Sequence, residues 1–140
     1  MREQIVWPML AMIGLTMAVW LFMYVRRLHW IFSNGVSAND LKTPKKREAL
    51  IPEKVNYASF NFQNLFELPV IFYALCLLLY VTDAVATTDT VLAWVFVAGR
   101  AIHSVVHATF NDVRLRFLSY ILSALALWAM FVRAVIYQLA

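Results

Sequence analysis

Residues 4–25 read QIVWPMLAMIGLTMAVWLFMYV, a run without a single charged side chain. As a helix it is roughly 33 Å long at about 1.5 Å per residue, enough to cross the hydrocarbon core of a bilayer. It is too long for the apolar region of a signal peptide, and no small-residue cleavage site follows it, so it reads as an anchor that stays. The rest of the chain keeps the same character. Of its 140 residues, 63% are hydrophobic and 14% charged, with a mean hydropathy of +0.70. A soluble domain of this size has too little interior to hide that much apolar surface. Lipid must be the solvent for most side chains.

Three further apolar stretches follow, over residues 55–82, 90–110 and 117–138. Backbone groups in lipid must pair within their own segment, which excludes open strands. The turns at 81–89 and 111–116 are short, so neighbouring helices are expected to be antiparallel. The expected fold is therefore all-α: one domain over 1–140, a four-helix membrane bundle running up-down-up-down. The long connection at 26–54 holds Arg26, Arg27, Lys42, Lys45, Lys46, Arg47 and Lys54 against Asp40, Glu48 and Glu53, and the 111–116 turn adds Arg114 and Arg116. Basic loops stay on the cytoplasmic side. That places both basic loops inside and both termini outside, in a bacterial inner membrane or its equivalent. The basic loop also suits contact with anionic lipid headgroups, with Arg26 or Arg27 available to an anionic ligand at the membrane surface. It offers no nucleic-acid recognition element.

Charged and strongly polar groups inside the spans are expensive in lipid, so each needs a partner or a task. Span two carries Asn61, Asn64 and Glu67, three residues apart and within about 120° of one another on a continuous helix. Span three carries Arg100, His103 and His107 within roughly 60°. At the start of span four, Arg116 and Tyr120 lie one turn apart. Converging polar sets of this kind line a cavity more often than they face lipid. The alternative is that Asn61, Asn64 and Glu67 only bind helices together, with Arg100 and Glu67 as a buried pair. His103 and His107 have the spacing of two metal ligands, but no His-Glu-x-x-His motif is present and only His29 remains to complete a set. The single cysteine, Cys76, lies in an apolar run and excludes an internal disulfide; it reads as a small inert hydrophobe. The five tryptophans suit membrane interfaces and helix packing.

At these residues the chain resembles the MAPEG family, the membrane-associated proteins of eicosanoid and glutathione metabolism. Asn64-Leu-Phe-Glu67, closely followed by Pro69, is similar to the family's Asn-x-x-Glu with a nearby proline. Arg100-x-x-His103-x-x-x-His107 is similar to its Arg-x-x-(His/Tyr)-x-x-x-Tyr, and Arg116-x-x-x-Tyr120 to the Arg-x-x-x-Tyr of the prostaglandin E synthase branch. Arg26 or Arg27 matches a basic position at the end of the first helix. The resemblance implies a homotrimer with glutathione bound between subunits in a pocket open to the cytoplasm. It implies that Asn64 and Glu67 hold the polar ends of the tripeptide, with Glu67 on its ammonium group. Arg100, His103, His107 and a helix-one arginine complete the binding set. Arg116, with Tyr120, stands near the sulfur, where a cation favours the thiolate. A small lipophilic substrate would enter from the bilayer.

Two positions depart from the pattern. Phe60 stands where catalytic members carry an arginine, and His107 replaces an aromatic hydroxyl. Phenylalanine cannot clamp a carboxylate as arginine does. Two function classes thus fit the sequence: a glutathione-dependent transferase or peroxidase acting on lipophilic electrophiles, and a non-catalytic membrane trimer binding a lipid or another anionic small molecule. Four helices without an inverted repeat argue against a secondary transporter.

Overall fold

The computed structural model describes residues 2–139, apart from the side chain of Ala38. After a 3-10 turn at Arg2–Ile5, six helices follow: α1 (Val6–Ser33), α2 (Pro44–Leu50), α3 (Glu53–Asn64), α4 (Leu68–Val81), α5 (Thr87–Ala108) and α6 (Val113–Leu139), with no strand among the described residues. Four stretches are long and apolar enough to cross a membrane: Arg2–Ser33, Glu53–Val81, Thr87–Ala108 and Val113–Leu139. Most of the exposed large side chains on them are apolar, from Trp7 and Leu10 to Leu125 and Ile136, which is the surface that a lipid environment requires.

Helix α1 outruns its apolar stretch. Nothing between Val25 and Ser33 breaks a helix, so Arg26, Arg27 and His29 ride on α1 rather than in the loop that follows. The helix stops where Gly35 takes the left-handed conformation (φ +60), while Val36 N–H donates to the Ile31 carbonyl at 3.2 Å, a glycine-terminated helix end. The connection then carries a 3-10 turn at Ala38–Leu41 and the short helix α2. Thr43 caps α2 by accepting from Lys46 N–H at 3.3 Å, and Pro44 occupies the first turn, where its missing N–H costs nothing.

The second span is two helices, not one. Pro69 sits in the first turn of α4 and has no N–H for the Leu65 carbonyl, so the helical ladder breaks there. Residues 65–67 turn through short-range bonds such as Phe66 N–H to Gln63 O at 3.0 Å, and Glu67 sits outside helical space at φ −96, ψ −105. The continuous face on which Asn61, Asn64 and Glu67 were expected is therefore interrupted. The other ends shift by a few residues: α5 starts at Thr87 and α6 at Val113, where the Asp112 side chain caps Leu115 N–H at 2.8 Å.

Helices α5 and α6 form an antiparallel pair packed along their length. A Cβ on Gly99 would lie 3.1 Å from both the Ser119 carbonyl oxygen and Ser123 Cβ, so glycine there lets the backbones approach. At one end of the pair, Asp89 is fully buried. Its Oδ1 accepts from Arg133 Nε at 2.7 Å and its Oδ2 from Arg133 Nη2 at 2.8 Å. The same Oδ2 accepts from Ala86 N–H at 2.8 Å, capping α5. The core between α4 and α5 centres on stacked Phe72 and Phe96, 4.4 Å apart. Cys76 is buried in that core.

Candidate functional site

At the α5–α6 end away from Asp89, the polar residues of three spans converge. Asn64, His103, His107, Val113, Arg116, Phe117 and Tyr120 line a cleft of about 250 Å³. Arg100 forms its inner wall. It lies eight residues before the end of α5, about 12 Å down the helix, and is fully buried. Its Nη2 donates to the Asn64 side-chain oxygen at 2.5 Å and to the Asn64 carbonyl at 3.3 Å. Tyr120 lies with its ring centroid 5.6 Å from the guanidinium carbon, a cation–π contact. Arg100 Nε and Nη1 have no partner.

Asn64 also donates to Glu67 Oε2 at 2.6 Å. Arg100 and Glu67 are thus not a direct pair: Asn64 joins them, and the Glu67 side chain remains exposed. At the break after α3 the Asn64 carbonyl accepts a 3.3 Å turn bond from Glu67 N–H in place of a helical one, and its second lone pair takes the Arg100 donor. Asn61, by contrast, is engaged by Ser104, whose hydroxyl donates to Asn61 Oδ1 at 3.3 Å while Asn61 donates to the Ser104 carbonyl at 3.4 Å. Its part is to join α3 to α5.

Arg116 works through two groups. Its side chain is held by Asn111, with Nη1 donating to Oδ1 at 2.6 Å. Its carbonyl lies 2.9 Å from His103 Nδ1. Asn111 takes a left-handed turn (φ 53) that asparagine tolerates better than most residues, and its N–H closes onto the Val106 carbonyl at 2.7 Å. Asn111 is a site residue that the sequence reading did not find. The signal was there: an asparagine ending one helix, five residues before an arginine that opens the next. His103 and His107 pack edge to face, ring centroids 5.4 Å apart, and His107 Nδ1 is buried without a partner. Among the described residues, no three histidine, cysteine, aspartate or glutamate side chains gather to hold a metal ion.

Arg26 is turned elsewhere. Its Nη1 donates to the Ala108 carbonyl at 2.9 Å, satisfying the C-terminus of α5 where a cation is favoured, and its guanidinium carbon lies 5.4 Å from the Phe22 ring centroid. Arg27 is half-buried on α1; neither arginine lines the cleft. Phe60 is half-buried on α3 and brings no cation. On the other side of the break, a largely apolar cleft of about 470 Å³ runs between Trp20 of α1 and Phe62, Phe66 and Tyr73. Phe66, beside Glu67, makes it adjoin the polar site.

Residues 5–136 match the MAPEG family. The chain belongs to the MAPEG family. The match reaches all four membrane-crossing stretches and includes every residue of the cleft. It makes this MAPEG chain a multi-pass membrane protein of a family tied to glutathione and eicosanoid metabolism. No curated protein and no solved structure matches it significantly.

Proposed function

We propose that this MAPEG chain binds glutathione in the cleft between α3, α5 and α6 and presents its sulfur to a lipophilic electrophile, as a transferase or peroxidase. The observation that carries the reading is Arg100. A buried guanidinium with two unpartnered nitrogens and only neutral groups in direct contact is strongly unfavourable in a membrane. The ion pairs of the described residues, Arg2–Asp83 and Arg133–Asp89, both lie at the far end of the bundle. The cleft therefore has a surplus of positive charge, from Arg100 and Arg116, with one carboxylate, Glu67, at its edge.

Glutathione is complementary to that arrangement. It has a carboxylate for the guanidinium of Arg100, an ammonium for Glu67, peptide groups for the amide of Asn64, and a thiol whose ionised form Arg116 favours. The adjoining apolar cleft is suited to a partner arriving from the bilayer. Glu67 supports a homotrimer as well: a carboxylate exposed on one subunit in the middle of the second span needs a neighbouring subunit or a ligand over it. Phe60 favours a second reading, in which the cleft takes a smaller anion or a lipid headgroup, because the carboxylate clamp at that position is gone.

Calorimetric titration of the detergent-purified protein separates the two. Glutathione is expected to bind saturably, and Arg100→Met to abolish that binding. Heat from phosphate or anionic lipid but none from glutathione would favour the second reading. Native mass spectrometry in mild detergent is expected to show a trimer; a dominant monomer would remove the shared-pocket part of the proposal.

A further inference from the structure

We propose that His103 is the proton acceptor of the cleft, taking the ligand's thiol proton on Nε2, and that the Arg116 carbonyl fixes it in that role. The inference rests on the glutathione reading and adds a residue to its chemistry. A carbonyl oxygen only accepts, so the 2.9 Å contact requires Nδ1 of His103 to carry its hydrogen. In a neutral ring with Nδ1 protonated, Nε2 holds the lone pair. That atom is buried and has no partner in the protein, on a residue only 4% exposed.

The groups around the ring are Arg100 and His107 on α5, Arg116 and Tyr120 on α6, and Asn64 at the end of α3. Two are guanidinium groups and none is a carboxylate; Glu67, at the edge of the cleft, is engaged by Asn64. Nothing here supports a second proton on the resting ring. Ser119 Oγ lies 2.9 Å from the Leu115 carbonyl and 3.0 Å from the Arg116 carbonyl, so its single hydrogen is shared between them, and the tautomer rests on the Arg116 carbonyl itself. His107 has a free Nδ1 as well, but no hydrogen bond sets its tautomer, so the acceptor role falls to His103.

In the step, the S–H bond breaks, the proton passes to Nε2 and the electron pair stays on sulfur beside the guanidinium of Arg116. Attack on an epoxide then forms a C–S bond and breaks a C–O bond. The imidazolium returns its proton to the departing oxygen, leaving the ring as it began. Arg116 thus serves both halves of the step, with its side chain near the charge and its carbonyl orienting the base.

The test counts protons. Glutathione is titrated into the purified protein in buffers of different ionisation enthalpy while thiolate absorbance is recorded. If His103 keeps the proton, thiolate appears with less than about half a proton released per bound ligand. S-Methylglutathione, which has no thiol proton, gives neither signal. His103→Asn keeps an N–H for the Arg116 carbonyl but removes Nε2; at neutral pH and saturating glutathione, the thiolate formed per bound ligand should fall roughly tenfold or more, whatever the change in affinity. A full proton released by the wild type, or an unchanged thiolate signal per bound ligand in the variant, would each overturn the proposal. Absence of any glutathione heat would instead remove the glutathione reading and this proposal with it.

Discussion

Replacing Arg133 by alanine strands the Asp89 carboxylate, which is fully buried between α5 and α6. In the native protein, three hydrogen bonds reach its two oxygens: two from Arg133 and one from Ala86 N–H. Only the last survives the substitution. Breaking a fully buried ion pair from one side costs about 3–5 kcal/mol, whereas an exposed pair contributes about 0–1. The Arg133 side chain is 36% exposed and that of Asp89 0%, so the loss should lie between these, at about 2–3 kcal/mol. Asp89→Asn removes the buried charge but keeps one oxygen to accept, and should lose less, about 1–2 kcal/mol. The double variant, with no charge left to bury, should be more stable than Arg133→Ala by about 1 kcal/mol. Reversible unfolding in mixed detergents, followed by tryptophan fluorescence, gives all three values. An Arg133→Ala protein within about 0.5 kcal/mol of wild type, or a double variant no better than it, would refute the reasoning.

Glu67→Gln keeps the shape and the bond from Asn64 but loses the charge meant for an ammonium group, so glutathione should bind roughly ten- to a hundredfold more weakly, by about 1.5–3 kcal/mol. Arg116→Ala should leave binding closer to normal and reduce the thiolate absorbance. Gly99→Ala places a Cβ 3.1 Å from the Ser119 carbonyl oxygen and from Ser123 Cβ, and thermal melting should show a loss of about 1–3 kcal/mol from overpacking. For topology, a cysteine at Ser37 should label only from the cytoplasmic side and one at Thr88 only from outside; both positions are exposed, and the buried Cys76 should give little background.

Much of the fold was legible because hydropathy in a membrane is a strong signal: apolar runs of span length have few other homes. The cleft was legible for the same reason, since Asn64, Arg100, His103, His107, Arg116 and Tyr120 are groups that lipid penalises. What escaped the sequence was geometry. Pro69 was visible, but extending the helical period through it put Glu67 on a face that the break removes, and so missed Asn64 as the link between Glu67 and Arg100. Arg26 or Arg27 was read as available to an anionic ligand, and the bond of Arg26 to the Ala108 carbonyl went unforeseen, because no sequence pattern says which carbonyl lies beside an arginine. The ion pair of Asp89 with Arg133 joins α5 to α6 and was not among the contacts read from the sequence. In an antiparallel pair turning near 110 they are almost equidistant from the turn, so their pairing was within reach of a register argument. The tautomer of His103 depends on one carbonyl and needs coordinates.

The most direct test of the account is a structure of the glutathione-saturated protein in lipid or detergent. The account predicts glutathione in the cleft, with a carboxylate on Arg100 Nε and Nη1, the ammonium group on Glu67 and the sulfur near Arg116 and His103 Nε2. A cleft without glutathione, with Arg100 paired instead to a carboxylate of a neighbouring subunit, would contradict it.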